Sequence, residues 1–212
     1  MPSTDGAGAA GATKLLPLFP LQAVLFPGGR LGLKVFEARY LDLVGDCLRR
    51  AQPFGVVCLS QGVDTGRGEI RIEHVGTLAQ IVDVDGEQSG ILRVRCTGAQ
   101  RFRLADTPRQ QTDGLWQAPV DPVDDDPAEL PAPAMRPTVE ALAQAIQSLR
   151  SQEVLPFDEP FRLDDAGWVA NRWCEILPIS LAAKQRLMAL ESPSVRLQLV
   201  DEYLRGKQVI GD

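Results

Sequence analysis

The sequence predicts an α+β fold, with a compact antiparallel sheet or partly closed barrel carrying one packed helix, followed by a small helical bundle. Three observations lead there. Strand-like apolar runs broken by turn residues extend from Leu15 to about Val123, apolar steps of three and four fill Pro137 to Leu204, and an acidic, proline-rich stretch separates the two patterns. The boundaries read as a tail at 1–13, a sheet subdomain at 14–123, a connector at 124–137 and a helical subdomain at 138–212.

The sheet subdomain opens with Leu15-Leu16-Pro17-Leu18-Phe19-Pro20-Leu21, repeats Leu-Phe-Pro at Leu25-Phe26-Pro27 and turns at Gly28-Gly29. Further strands are expected at Phe54 to Leu59, Glu69 to Ile72, Gly76 to Val84, Ile91 to Cys96 and Arg101 to Leu104. Turns are expected at Gly62 to Gly68, Asp85-Gly86 and Thr97-Gly98. Between them, Tyr40, Leu41, Leu43, Val44, Cys47, Leu48 and Ala51 make one apolar stripe, which predicts a helix over Glu37 to Ala51. Arg49-Arg50 lie at the end where cations suit the helix dipole, and Pro53 follows.

In the connector, Asp124, Asp125, Asp126 and Glu129 alternate with Pro127, Pro131 and Pro133. Repelling carboxylates and missing backbone donors predict an extended segment there. Beyond it, Val139, Leu142, Ala143, Ile146 and Leu149 form one helical stripe. A looser run from Ser151 to Leu163 follows, and then Val169, Trp173, Ile176 and Leu177 form a second stripe, stopped by Pro178. Ser180 is the expected N-cap of a third helix, and Ser192-Pro193 opens a fourth that Gly206 ends.

Composition narrows the function. The chain has 212 residues, 44% of them hydrophobic, enough for a sizeable core. A net charge of -6 and a pI near 4.9 argue against a general nucleic-acid or anionic-membrane binder, because those partners would repel the summed field. Met1 to Thr13 has neither the basic nor the apolar region of a signal peptide, and no apolar run approaches the roughly 20 residues of a membrane span. A cytoplasmic protein is expected. Cys47, Cys58, Cys96 and Cys174 are far apart in apolar contexts and His74 is the sole histidine, so neither a metal site nor another cofactor is expected; buried free thiols are.

The opening segment through Leu41 resembles the start of the Lon protease N-terminal domain. Val75-Gly76-Thr77-Leu78-Ala79, Gly98-Ala99-Gln100-Arg101-Phe102-Arg103, Trp168 to Pro178 and Ala183-Lys184-Gln185 look like later landmarks of stand-alone bacterial proteins of that family. The ordered series covers about residues 15 to 205. The resemblance implies a PUA-like β-barrel followed by helices, and a role in recognising unfolded or tagged polypeptide without the protease's ATPase or proteolytic domains. An adaptor for a proteolytic machine, or a holder of unfolded chains with a protease or chaperone as partner, is the function it implies.

Catalytic machinery is harder to find. A P-loop needs a lysine within a glycine-rich run, and Lys14, Lys34, Lys184 and Lys207 all lie outside such a context. Ser180 and Lys184 share a helix face, yet Ser180 stands where a cap is needed and Lys184 on an amphipathic helix normally reaches water. A triad through His74 lacks supporting spacing. A small hydrolase is therefore the weaker alternative.

Two surfaces are candidates for binding. Strand alternation puts Arg93, Arg95, Arg101 and Arg103 on one sheet face, a basic stripe for acidic groups of a protein or for RNA, the latter because PUA-like barrels include RNA binders. A solvated face with local ion pairs is the simpler reading of the same pattern. Pro17 and Pro20 confine the opening strand to an edge or an irregular position, where an extended peptide could add with Phe19 or Phe26 near its side-chain pockets, or where these apolar residues only seal the barrel. Trp168 and Trp173 point about 140° apart on a helix, so one is expected in the bundle core and the other against the barrel, with a groove between the halves for a hydrophobic segment.

Overall fold

The computed structural model describes residues 15–61, 70–88 and 90–211. The expected tail at 1–13 and the whole of the expected turn at Gly62 to Gly68 lie outside them. Among the described residues seven strands form one sheet: β1 (Leu15–Leu21), β2 (Arg30–Val35), β3 (Phe54–Gln61), β4 (Arg71–Gln88), β5 (Ile91–Leu104), β6 (Arg109–Gln110) and β7 (Trp116–Pro122). Helix α1 (Ala38–Arg50) interrupts them, and α2 (Arg136–Ser151), α3 (Ala166–Ile176), α4 (Leu181–Ala189) and α5 (Pro193–Gly206) follow a short 3₁₀ turn at Pro133–Met135.

The sheet order is β2-β5-β4-β3-β1-β7-β6, and a further pairing of β5 with β7 links β5, β4, β3, β1 and β7 in a closed circuit. The sheet is mixed rather than antiparallel, because β1 runs parallel to β3. That placement also corrects the expected edge. β1 lies inside the sheet, with Leu15 to Leu18 registered on β7 and Leu18 to Leu21 on β3. Each proline thus falls in a half-strand registered on one neighbour, where a missing donor is tolerated.

Two expected strand pairs are continuous strands. Residues 71–88 form one strand, as do 91–104, and Thr97-Gly98 is continuous strand leading into a bulge rather than a turn: Ala79 pairs with Gly98 and Thr77 with Arg101, leaving Ala99 and Gln100 of β5 against Leu78 of β4. Gly98 is needed there because a Cβ would run into the Phe26 carbonyl, whose loop crosses the strand.

Helix α1 forms as its stripe predicts, burying Tyr40, Leu43, Val44 and Cys47 against Phe19, Phe54, Val94 and Cys96 of the sheet. Serine caps start α4 and α5, with Ser180 accepting from the Ala183 amide and Ser192 from the Val195 amide. Asp165 caps α3 in the same way through the Trp168 amide. The largest apolar cluster joins the helices to Phe26 and Val75 of the sheet region, and it contains both Trp168 and Trp173.

Candidate functional site

The two halves meet at the β1–β2 loop, and three glycines let it fit. Gly28 adopts φ +69, a conformation side chains disfavour. A Cβ on Gly29 would collide with the Glu175 carboxylate and stand 2.9 Å from the Phe26 carbonyl. The loop is tied to the Gly98 bulge by Gly28 N–H donating to the Gly98 carbonyl (2.7 Å) and Gly98 N–H donating to the Gly29 carbonyl (2.8 Å).

From the helical side, Arg172 of α3 reaches across with Nη1 donating to Gly28 O (2.6 Å) and Nη2 to Pro27 O (2.7 Å), its side chain 1% exposed. Arg30 of β2 donates to the Leu155 carbonyl (2.6 Å) and pairs with Asp158, fastening the segment between α2 and α3.

These clamps hold open a groove of about 570 Å³ between sheet and helices. Its apolar lining comes from Val24, Leu25 and Leu31 on one side and from Phe157, Ile176 and Ile179 on the other. The volume lies within the roughly 300–1,000 Å³ common for ligand clefts. Its polar members are Gln22, Arg30, Glu175 and Lys184. Burial pushes the Glu175 carboxyl up to about 7 even though Arg172 and Lys184 pull it down. Lys184 Nζ donates to the Glu175 carbonyl oxygen at 2.9 Å. A second cavity, of about 560 Å³, lies beside α1 and is bordered by Leu15, Leu16, Leu43 and Leu115.

The residues singled out in the sequence fall in different places. Phe26 is fully buried, at 0% exposure, inside the loop core. Phe19 stacks on Tyr40 with ring centroids 3.8 Å apart, beneath α1. Trp173 is buried and donates from Nε1 to the Thr138 carbonyl of α2 at 3.0 Å. Trp168 packs edge-on against Phe157 and lines a small cavity with Pro27 and Gly28, which puts it at the junction of the halves. None of the four lines the groove itself, although Trp168 backs Phe157 in its wall.

The four arginines do not form one stripe. Arg93, Arg95 and Arg103 are exposed, with Arg95 paired to Asp83 (2.7 Å) and Arg103 to Glu191 (3.0 Å). Arg101 is 3% exposed. It pairs with Asp126 (2.8 Å) and donates to the Met188 and Leu190 carbonyls. Arg196 of α5 shares the same carboxylate at 2.6 Å. Asp126, within the stretch expected to be a plain connector, therefore bridges β5 and α5, a role that its run of acidic neighbours hides in the sequence.

The candidate nucleophiles are otherwise engaged. Ser180 caps α4, and Lys184 is bonded to a backbone carbonyl. His74 is exposed on β4. All four cysteines are buried, and desolvation pushes the thiols up, to about 11 for Cys47 and Cys58 and about 12 for Cys96 and Cys174, so they stay protonated at neutral pH. Among the described residues, no group of 3 or more His, Cys, Asp or Glu is arranged to hold a metal ion, and no helix is long and apolar enough to cross a membrane.

The mixed sheet with one packed helix, followed by a set of helices, is a Lon N-terminal-like fold. The chain belongs to the family described as the ATP-dependent protease La (LON) substrate-binding domain, which it matches over residues 15–206. Its structure is similar to the crystal structure of a Lon N-terminal domain protein from Xanthomonas campestris, with TM-score 0.74 and 33% identity, covering 90% of this chain and 98% of that one. The N-terminal domain of the Mycobacterium avium complex Lon protease shares the fold, with TM-score 0.60, 16% identity and coverage of 90% and 97%. In sequence, the chain is 27% identical over 203 residues to Lon protease 2 of Myxococcus xanthus, covering 93% of this chain and 24% of that protein. It thus spans about a quarter of the length of that protease.

Proposed function

We propose that this chain is a non-catalytic polypeptide-recognition module of the cytoplasm, built as a PUA-like barrel at 14–123 joined by the segment 124–137 to a helical subdomain at 138–212. It binds extended apolar segments of unfolded proteins, as an adaptor for a proteolytic machine or as a holder of such chains. The observation that carries the reading is the groove of about 570 Å³ between sheet and helices, apolar on both walls, in a chain of a substrate-binding family. Phe19, Phe26, Trp168 and Trp173 serve it indirectly, by fixing the elements that form its walls. The engaged Ser180 and Lys184 and the protonated thiols support a role without catalysis.

The test is a titration of a fluorescent, permanently unfolded polypeptide at low and high salt. Apolar contact in the groove predicts saturable binding that changes little with ionic strength, without ATP hydrolysis or cleavage of the polypeptide. Binding that collapses with salt would move the contact to the exposed arginines. Robust turnover abolished in Ser180→Ala would make the protein a hydrolase.

A further inference from the structure

Of the two cations that line the groove, Arg30 pairs with Asp158 and gives a further hydrogen bond to the Leu155 carbonyl. Lys184 differs. Its Nζ donates to the Glu175 backbone carbonyl at 2.9 Å, and among the described residues no carboxylate lies within ion-pair distance of it. The Glu175 carboxylate borders the same groove but is turned to Arg172, at 3.0 Å, and packs on Gly29. Arg30, Arg172 and Lys184 thus stand against Asp158 and Glu175, which leaves one positive charge in excess. Burial favours the neutral form of the Glu175 carboxyl and adds to that excess.

The bond to Glu175 has a local cause. That carbonyl belongs to the last turn of α3, beyond the reach of the helix's own amides. It occupies one of the three donors of the ammonium group and holds that group beside Ile176. Leu181, one turn earlier on α4, shares the face of Lys184. Two donors therefore remain in a groove whose apolar walls include Leu31, Ile176, Ile179 and Leu181. A carboxylate supplies both the acceptors and the missing charge.

We propose that the groove receives the C-terminal end of a client polypeptide, with the terminal carboxylate on Lys184 Nζ and the last apolar side chain against Ile176, Ile179 and Leu181. A terminal residue carries an apolar side chain and a carboxylate on one Cα. The groove presents the complement, a cation one helical turn from an apolar side chain. An internal aspartate or glutamate would commit its side chain to the lysine and leave the apolar wall at that position uncovered. The inference rests on the polypeptide-binding reading above and deepens it by naming the part of the client that is read. Between apolar walls a single such pair is screened less than a surface pair, so the weak salt dependence expected of the groove is kept.

The experiment uses the full chain and three peptides labelled at the N-terminus with fluorescein: one ending in Leu-Val-Leu with a free carboxylate, its C-terminal amide, and an amidated peptide whose only chain carboxylate is that of an internal aspartate. Fluorescence anisotropy should show the free acid binding about tenfold or more tighter than either amide. In Lys184→Gln, with the fold checked by circular dichroism, the affinity of the acid falls to that of its amide. The proposal is overturned if the internal aspartate substitutes for the terminus, if the preference for the acid persists in Lys184→Gln, or if decanoate, a carboxylate on a plain alkyl chain, binds where no peptide does. Equal binding of acid and amide, with the unfolded polypeptide still bound, overturns this inference alone. If neither the acid peptide nor the unfolded polypeptide binds, the polypeptide reading falls with it.

Discussion

Glu175 occupies the most consequential position for a single ionisable group, packed on Gly29 where loop and helix meet and 19% exposed. Its carboxyl rises from an ordinary 4.5 to about 7 because burial penalises the charged form more than Arg172 and Lys184 favour it. Between those values the folded state keeps a proton that the unfolded chain releases, so this group's contribution to stability declines as pH rises from about 4.5 to about 7. Glu175→Gln, neutral at every pH, should therefore gain on the wild type by on the order of 2–3 kcal/mol between pH 5 and pH 8. Thermal melts across that range check it; a difference independent of pH contradicts it. Other residues resist reading from the sequence for definite reasons. Strand alternation groups Arg101 with Arg93, Arg95 and Arg103, but the Gly98 bulge breaks the alternation and α4 brings two carbonyls to the guanidinium. Neither event leaves a local signal, and nothing in the run Asp124-Asp125-Asp126 marks the one acid that pairs with both Arg101 and Arg196.

At the scale of elements, α3 carries the junction. Its Arg172 grips the β1–β2 loop, Trp168 reaches the junction cavity and Trp173 bonds α2, so one helix faces three neighbours. Trp173→Ala should cost about 3 to 5 kcal/mol, since it removes a buried indole and leaves the Thr138 carbonyl without this donor. Denaturant unfolding measures it, and a loss below about 1 kcal/mol would show that the indole adds little to packing. The helices were largely legible because their evidence is local: apolar steps of three and four for α1, and serines at Ser180 and Ser192 whose hydroxyls accept the expected amides. The sheet was less so. Which strand lies at its edge depends on long-range pairing, and the prolines of β1 suggested an edge, whereas the sheet order ends at β2 and β6. The groove was foreseeable as a meeting of halves around the tryptophans. Its actual lining, with Ile176, Ile179 and Leu31, depends on a loop conformation that strand and helix periodicity cannot specify.

At the scale of the molecule, sheet and helices are held together by buried polar links as well as by the shared apolar cluster. Arg172 to Pro27 and Gly28, Arg101 to Met188 and Leu190, Gln185 to the Val75 carbonyl and the carboxylate of Asp126 all cross the junction. Breaking a buried ion pair from one side commonly costs about 3–5 kcal/mol, because the remaining charge is left without compensation. The wild type should accordingly melt in a single transition, and Asp126→Ala should lower its midpoint; two separate transitions in the wild type would show halves that fold independently. So firm a junction gives the groove fixed walls, which limits the ordering cost of binding to that of the client chain. The central claim, that this groove receives unfolded polypeptide, is tested most directly by comparing the wild type with Ile179→Asp and Leu181→Asp, both at partly exposed groove positions. Equilibrium binding of a labelled, permanently unfolded polypeptide should saturate for the wild type and weaken about tenfold or more in each variant with the fold intact. Equal affinity in all three proteins, or no binding by the wild type, would contradict the account.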